Sequence, residues 1–413
     1  MAVSSFLHAA DLHLGSQLKN LGDRVSPDIA DAARREVRRV FDDLVDTAIS
    51  RGVEFVVLAG DVYDRAESDP GAMQRVNRGL RRLGDHGISV FMVHGNHDPL
   101  AGAHLVARDR PGNIHVFPSG EVTSVPIDLR NGVTATVAGV SFAKAAETEN
   151  LARKFASVSG RPVVGVLHTN VAGNGAHDNY APCSVNDLLD SPVNYWALGH
   201  IHERRVEQTP RGWWAYPGNL QGRSAKSTEC GPKGALIVGI DDSGSVLRPE
   251  FVALDRVRFH RVTVDTSSCE TAEQVWNAVD DQIRNDSAGA DSIIHLFRVE
   301  LTGATASHGE LDRPLVDLFQ DLSDHVEGSL RNGAITKLVN ATTRPVDPVH
   351  LRSRETVLAA SLRNLDSLVV PNGLADLIGK IPAAVSTAMG SPESARDFKA
   401  EVERLLIDGL WAE

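Results

Sequence analysis

Residues 91–98 read Phe91-Met92-Val93-His94-Gly95-Asn96-His97-Asp98, and this stretch decides the fold. An apolar run of strand type closes at a glycine, and Asn96, His97 and Asp98 follow without interruption. A buried strand that delivers three polar side chains at its C-terminal end is built to place chemistry. Asn offers a neutral carbonyl ligand, His a ligand or a proton donor, and Asp a partner that orients the His. Alone, the tetrad is compatible with a polar turn. Four further clusters of the same chemistry, each behind an apolar run, give it meaning.

Working outward, residues 3–9 read as a short strand, and Asp11-Leu12-His13 follows it. Ligand-type residues at i and i+2 of an extended segment point to one side. The pair suits manganese, iron or zinc better than calcium. Residues 53–59 form a near-continuous apolar run of the kind buried on both faces. It ends in Gly60-Asp61-Val62-Tyr63-Asp64, where Gly60 permits a tight turn. The spacing of Val37, Val40, Phe41, Leu44, Val45 and Ala48 predicts a helix over 28–50, and a second helix is predicted over 70–84. Downstream, 162–167 is another buried strand, ending in His168, and 193–198 ends in Gly199-His200-Ile201-His202. Strands alternating with helices, with chemistry at each strand end, predict an α/β layout with its site at the carboxyl edge of the sheet.

Asp11, His13, Asp61, Asn96, His168, His200 and His202 make one ligand set. It exceeds a tetrahedral zinc site and suits two divalent ions of coordination number five or six. Asp61, after the central strand, is the natural bridge. Two ions about 3.5–4 Å apart can hold a hydroxide between them, bind a phosphoryl oxygen and stabilise an in-line displacement. His97 reads as the proton donor to the leaving oxygen, with Asp98 orienting it. No Ser or Cys stands in a nucleophile motif, so direct attack by hydroxide is preferred over a covalent intermediate.

Arginines 34, 35, 38 and 39 share a face of the first helix, and 75, 78, 81 and 82 lie on the second. A solvated face is the simpler account and a phosphate-contacting patch the sharper one. Trp213, Trp214 and Tyr216 fit a core better than base stacking.

At 413 residues the chain holds two or three domains, and its 42% apolar and 23% charged residues are those of a soluble globular protein. No apolar run approaches a membrane span, and the first fifteen residues lack the signature of a signal peptide. Cys183, Cys230 and Cys269 are widely separated, which predicts a reducing, cytoplasmic setting and no thiolate metal site. The net charge of −12 is opposite to that of most DNA binders. Acidic residues gathered at a metal site are, however, neutralised by the ions they hold.

From 114 to 142 the pattern is one of short alternating strands, and 233–254 reads as a hairpin. Near Asp255 the character shifts. Strands over 258–264, 293–301 and 335–340 and helices over 271–285 and 309–323 predict a small second α/β unit. Residues 342–350, with Pro345 and Pro348, read as a linker into a helical tail. Its last helix is predicted to start at Ser391-Pro392. Phe398, Val402, Leu405 and Leu406 form a stripe on it, packed either on the chain's own core or against a partner.

The patterns Asp11-x-His13, Gly60-Asp61-x-x-Asp64, Gly95-Asn96-His97-Asp98, His168 and Gly199-His200-x-His202 come in a family's order. The chain resembles the calcineurin-like metallophosphoesterases. That implies an α/β sandwich of two mixed β-sheets flanked by helices, with a smaller α/β capping domain and a helical C-terminal tail. His8-Ala-Ala-Asp-Leu-His-Leu-Gly15, Tyr195-Trp-Ala-Leu-Gly-His-Ile-His202 and Tyr216-Pro-Gly-Asn219 are similar to the SbcD-type DNA repair exonucleases. Gln221-Gly-Arg223 and Gly231-Pro-Lys-Gly234 look like the YhaO-like bacterial branch.

The resemblance implies a nuclease domain over 1–255, a capping and DNA-binding domain over 256–341, and a linker and helical tail over 342–413 that contacts a partner. It implies a pair of Mn2+ ions, DNA as substrate, and exonuclease or endonuclease activity in double-strand-break repair. It further implies a homodimer, an SbcC-like ABC-type coiled-coil ATPase as partner, and no membrane association. Asp64, Arg34, Arg38 and Arg223 are candidate substrate contacts, and Asp64 stands where some repair nucleases carry His. Two other readings stay open. One is a phosphodiesterase or phosphatase for small molecules. The other is a non-catalytic scaffold for DNA ends, which has no physical need for seven ligands.

Overall fold

The apolar runs become strands whose alternate residues face opposite ways, and that alternation builds the layers. A computed structural model describes residues 2–16, 18, 21, 25–64, 70–100, 112–171, 180–288, 293–327, 330, 332–346, 348–354, 356–367, 399, 402–403 and 405–407. The chain begins with β1 (Ser4–Ala9), α1 (Pro27–Val37), α2 (Val40–Ser50), β2 (Phe55–Ala59), α3 (Pro70–Asp85), β3 (Ser89–Val93) and β4 (Ile114–Val116). It continues through β5 (Thr123–Asp128), β6 (Thr134–Gly139), β7 (Val163–His168), α4 (Val185–Leu189) and β8 (Tyr195–Gly199). Then come β9 (Arg205–Thr209), β10 (Gly212–Tyr216), β11 (Gly234–Ile240) and β12 (Glu250–Ala253).

These strands form two six-stranded mixed sheets, ordered β12-β11-β1-β2-β3-β4 and β5-β6-β7-β8-β10-β9. Helices flank them, so the expected sandwich of two mixed sheets is the fold found. On β2, Phe55, Val57 and Ala59 point into the core between the sheets, while Val56 and Leu58 pack under α2 and α3. On β8, Tyr195 and Ala197 face the same inter-sheet core, and Trp196 and Leu198 face the far side. Phe6 stacks on Phe55 with centroids 4.6 Å apart and meets Tyr195 edge-on at 5.4 Å, joining both sheets. Trp214 and Tyr216 are buried in the outer core, as expected of core residues.

The helix expected over 28–50 is two helices, broken at Arg38 and Arg39. The two halves bury different faces. Ala30 and Ala33 of α1 pack with Leu18, Leu21, Val257 and Phe259, whereas Val40, Phe41, Leu44, Val45 and Ala48 of α2 pack on the first sheet. One straight helix cannot present both stripes.

Contacts divide the chain into two compact units. The first is Met1–Arg261 with Ser287–Arg298 and Leu330–Thr336, and the second is Val262–Asp286, Val299–Ser329 and Lys337–Glu413. After β12 come β13 (Val257–Asp265), α5 (Ala272–Ser287), β14 (Ile294–Ala304), α6 (His308–Leu311), α7 (Leu315–Glu327), β15 (Gly333–Thr343), α8 (Pro348–Arg352) and α9 (Val357–Ser367). β13, β14 and β15 form a three-stranded sheet in that order. The helix expected over 309–323 is interrupted between α6 and α7. Pro314 cannot donate its nitrogen to a helix and disfavours helical backbone in the residue before it. In the tail, Leu406 packs with Leu351, Leu358, Leu362 and Ile407, so this end of the apolar stripe meets the chain's own core. The helix start at Ser391-Pro392 and Phe398 lie outside the described residues. Among the described residues no helix is long and apolar enough to cross a membrane.

Candidate metal centre

Five strands of the two sheets end at one place. β1, β2 and β3 are neighbours in the first sheet and β7 and β8 in the second, and their C-terminal ends carry the expected ligands. The backbone there is held in uncommon conformations. Asp11, His13, Asp61 and His200 have φ of 50°, 44°, 50° and 104°, in the region that favours glycine. Such strain persists only where the surroundings over-determine it, and it clusters at functional sites. A Cβ on Gly95 would collide with Asp61 Oδ1 and the His168 ring, which is why glycine precedes Asn96.

All seven expected ligands converge. Asp61 lies at the middle: Oδ1 accepts from the His97 backbone N–H at 2.8 Å, and Oδ2 is 3.5 Å from His168 Nε2 and 4.0 Å from His13 Nε2. On one side His13 Nε2 and His202 Nε2 stand 3.1 Å apart, with Asp11 close by. On the other, Asn96 Oδ1 is 3.0 Å from His168 Nε2 and 3.3 Å from His200 Nδ1. Both Asp11 oxygens accept from the His200 N–H at 3.0 Å, which ties the two sheets together at the site.

The donor set fits divalent cations. His168 Nδ1 donates to the Ala59 carbonyl at 3.0 Å, and burial holds this imidazole neutral, with a pKa lowered to about 4. Its Nε2 is therefore a lone pair, and it faces the oxygens of Asn96 and Asp61, which are acceptors too. Acceptors facing acceptors call for a cation between them. The carboxylates agree. Burial and Asp98 raise Asp61 to about 7, and burial and Asp61 push Asp11 well above the carboxylate range. Burial and the neighbouring His202 likewise keep His13 neutral.

His97 stands beside this cluster with its side chain 41% exposed, open to a substrate. The carboxylate next to it is Asp64, whose Oδ1 is 3.5 Å from His97 Nδ1. The hydrogen bond to Asp64, set against partial burial, holds His97 above the ordinary histidine pKa. Asp98, expected to orient His97, is engaged otherwise. Its oxygens accept from the backbone N–H groups of Gly95 at 2.8 Å and Val62 at 2.9 Å, and His94 lies 3.8 Å away. Asp98 pins the loop because its side chain points back under the strand ends rather than along the chain to its neighbour.

Arg223 Nη2 is 3.5 Å from the other Asp64 oxygen, which places it at the site. Arg34 and Arg38 lie farther along, lining a cavity that His13 also borders. Three arginines of the predicted helix faces are paired with acids locally: Arg34 with Asp31, Arg39 with Glu36 and Arg82 with Asp46. Sequence reasoning missed Glu229. This buried acid sits on the short turn Ser227–Glu229 and takes His202 Nδ1 at 2.6 Å. It also accepts from Asn219 Nδ2 and from the Arg223 backbone N–H. No periodicity or motif marks it, because its position depends on folding of a polar loop.

Two mixed sheets carry a mixed oxygen and nitrogen cluster at their strand ends, a donor set suited to divalent cations. Residues 4–204 match the calcineurin-like phosphoesterase family, and 259–343 match the middle domain of the metallophosphoesterase YhaO. The chain is similar to the uncharacterized metallophosphoesterase YhaO of Bacillus subtilis (strain 168), 32% identical over 67% of each chain. It is also similar to the DNA double-strand break repair protein Mre11 of Aeropyrum pernix, 27% identical over 67% of each chain. The protein of the same description from Sulfurisphaera tokodaii is 25% identical over 65% of this chain and 67% of its own. This chain belongs to the calcineurin-like phosphoesterase family, whose members use a pair of divalent metal ions.

Proposed function

We propose that the protein is a metal-dependent DNA nuclease that removes nucleotides at broken ends, acting as an exonuclease in double-strand-break repair. The observation that carries this reading is the arrangement about Asp61. One buried carboxylate stands between two ligand groups, with the exposed His97 at its edge. Similarity to repair proteins of the Mre11 description supports DNA as the substrate.

Asp11, His13, Asp61 and His202 would hold one ion and Asp61, Asn96, His168 and His200 the other, most reasonably Mn2+ given the mixed ligands. When bound, such a pair supplies positive charge to the phosphoryl oxygens and lowers the pKa of water at the site. The chain's own residues do the rest. Glu229 sets the His202 ring so that Nε2 faces the cluster. Asp64 keeps a proton on His97 Nδ1, leaving Nε2 to deliver one to the departing oxygen. Arg223, held against Asp64, offers a guanidinium to a phosphate oxygen. Within this reading residues 256–341 form the capping and DNA-binding domain. The tail over 342–413 contacts an ABC-type coiled-coil ATPase, and two copies act as a dimer.

A second reading, hydrolysis of a small phosphodiester, draws support from the pairing of Arg34, Arg39 and Arg82 with acids, which removes part of the positive charge a DNA backbone would meet. Release of nucleotides from end-labelled linear duplex DNA, with manganese and with EDTA, tests the proposal. Metal-dependent release that disappears in His97→Ala supports it. Hydrolysis of a chromogenic phosphodiester with no action on DNA, even with the ATPase added, transfers the conclusion to the second reading.

A further inference from the structure

We infer that Lys233 is a positioning residue of the metal centre. Its buried ammonium holds the two main-chain segments whose side chains, His202 and Glu229, meet behind the ligand group of Asp11, His13 and His202. The inference rests on the reading of the centre as a two-ion site, and it gives a task to the stretch Gly231-Pro232-Lys233-Gly234. All of these residues lie in the first unit. Lys233 stands just before β11 and is 5% exposed. Its Nζ donates to the His202 carbonyl at 2.7 Å and to the Thr228 carbonyl at 2.5 Å. Thr228 is the middle residue of the turn Ser227–Glu229, so its carbonyl belongs to the peptide that leads into Glu229. One cation therefore grips the backbone on both sides of the 2.6 Å contact between His202 Nδ1 and Glu229 Oε1.

Burying an ammonium is costly, and an apolar side chain of the same reach would fill the space without that cost. The surrounding chain is built to deliver the charge there. Gly231 turns with φ of 76° and donates its N–H to the Phe259 carbonyl at 3.0 Å. A Cβ on Gly234 would strike the Val252 carbonyl, so glycine lets β11 lie this close to β12. Between the two glycines the Lys233 backbone is fixed. Its N–H donates to Asp255 Oδ1 at 3.1 Å, and its carbonyl accepts from the N–H groups of Leu254 and Asp255 at 2.8 and 3.1 Å. Asp255 is in turn held by both arms of Arg258, at 2.7 and 2.9 Å. A side chain rooted this firmly acts as a strut, and its far end meets a metal ligand rather than solvent. Glu229 Oε2 is already engaged by Asn219 and Arg223, so the path of the turn sets Oε1 on His202. His168 takes its orientation from the Ala59 carbonyl instead, so the strut acts on the ion beside His202 and not on the other.

The test uses the full chain, with Lys233→Met removing the donors while keeping the length of the side chain. Mn2+ affinity is measured by titration calorimetry. The His202 Nδ1–H resonance is followed by NMR of the histidine-labelled, metal-free chain and is identified by its absence in His202→Gln. Lys233→Met is expected to weaken one of the two ions about 10- to 100-fold and to leave the other unchanged. The His202 resonance, at low field in the wild-type chain because a carboxylate shares its proton, is expected to move upfield as it does in Glu229→Gln. Adding Glu229→Gln to Lys233→Met should weaken binding no further, since both act through one contact. Unchanged affinity for both ions, an equal loss of both in a folded chain, an unmoved resonance or full additivity overturns the inference. Should Lys233→Met not fold, Lys233→Gln takes its place under the same criteria, because its shorter side chain cannot bridge both carbonyls. A wild-type chain that binds no manganese removes the two-ion reading alone, since the resonance still decides whether Lys233 sets His202.

Discussion

His202 Nδ1 and Glu229 Oε1 lie 2.6 Å apart, and this contact fixes which ring nitrogen His202 turns toward His13 in the candidate metal centre. Burial works against the Glu229 carboxylate, but the hydrogen bond from His202 outweighs it and holds the acid down to about 2. A carboxylate behind a ligating histidine fixes its tautomer and raises its basicity. Removing the carboxylate in Glu229→Ala is therefore expected to weaken Mn2+ binding about 10- to 100-fold. Titration calorimetry measures it, and an unchanged affinity would mean that other contacts set the His202 ring.

Asp61 is costly without a cation and central with one. Its pKa is raised to about 7 by burial and Asp98, so above its ordinary 3.8 the metal-free fold is progressively penalised as pH rises toward 7. Metal-free Asp61→Asn is accordingly expected to melt at or above the wild-type temperature at pH 8. Manganese at about 100 times its Kd stabilises a binding fold by about 2.7 kcal/mol, and the variant should lose most of that gain. A manganese-induced rise in Tm equal to wild type would remove Asp61 from the ligand set.

The two carboxylates near His97 are expected to separate by readout. His97→Ala should lower kcat by about 10²–10⁴ while metal binding is retained. Asp64→Asn should move the acidic partner of the pH–rate profile downward, since the Asp64 hydrogen bond is what lifts the His97 pKa. Asp98→Ala leaves the buried Gly95 and Val62 N–H groups without their acceptor, at about 1–3 kcal/mol each. A large Tm loss for Asp98→Ala and a small one for Asp64→Asn is the expected pattern, and the reverse would restore Asp98 as the orienting group.

Away from the site, His260 Nε2 and His295 Nδ1 meet at 2.9 Å beside Phe297. Burial, then His295, lowers the His260 pKa from 6.5 to about 4. Between those values the unfolded chain binds the extra proton, so stability is full above about 6.5 and is lost as pH falls through 4. Urea midpoints at pH 7 and pH 5 measure the slope, which His260→Gln is expected to flatten. An identical slope in the variant would assign the acid sensitivity to other groups, such as His8, which burial holds at about 3.

Much of the architecture was legible because the layers need period-two apolar strands, and those can be read one residue at a time. β2, β3, β7 and β8 lie where their apolar runs fall. β9 was not anticipated: Arg-Val-Glu-Gln-Thr has little apolar signal, and its place at the sheet edge comes from pairing with β10. The break between α1 and α2 was hidden for a related reason. Apolar spacing continues through Arg38 and Arg39, and only the two different surfaces beneath the helices require the chain to turn there.

The sequence by itself determined where the seven candidate ligands stand, since each is tied to a strand end and parallel strands bring those ends to one edge. What only the tertiary structure decided is what stands behind them. That Asp64 rather than Asp98 accompanies His97, that Glu229 holds His202, and that Arg38 lines a cavity beside His13 are contacts between segments far apart in the chain or turned away from their neighbours. Strand periodicity fixes where a side chain begins. Which partner it meets depends on loop paths and burial, and those exist only once both sheets have packed.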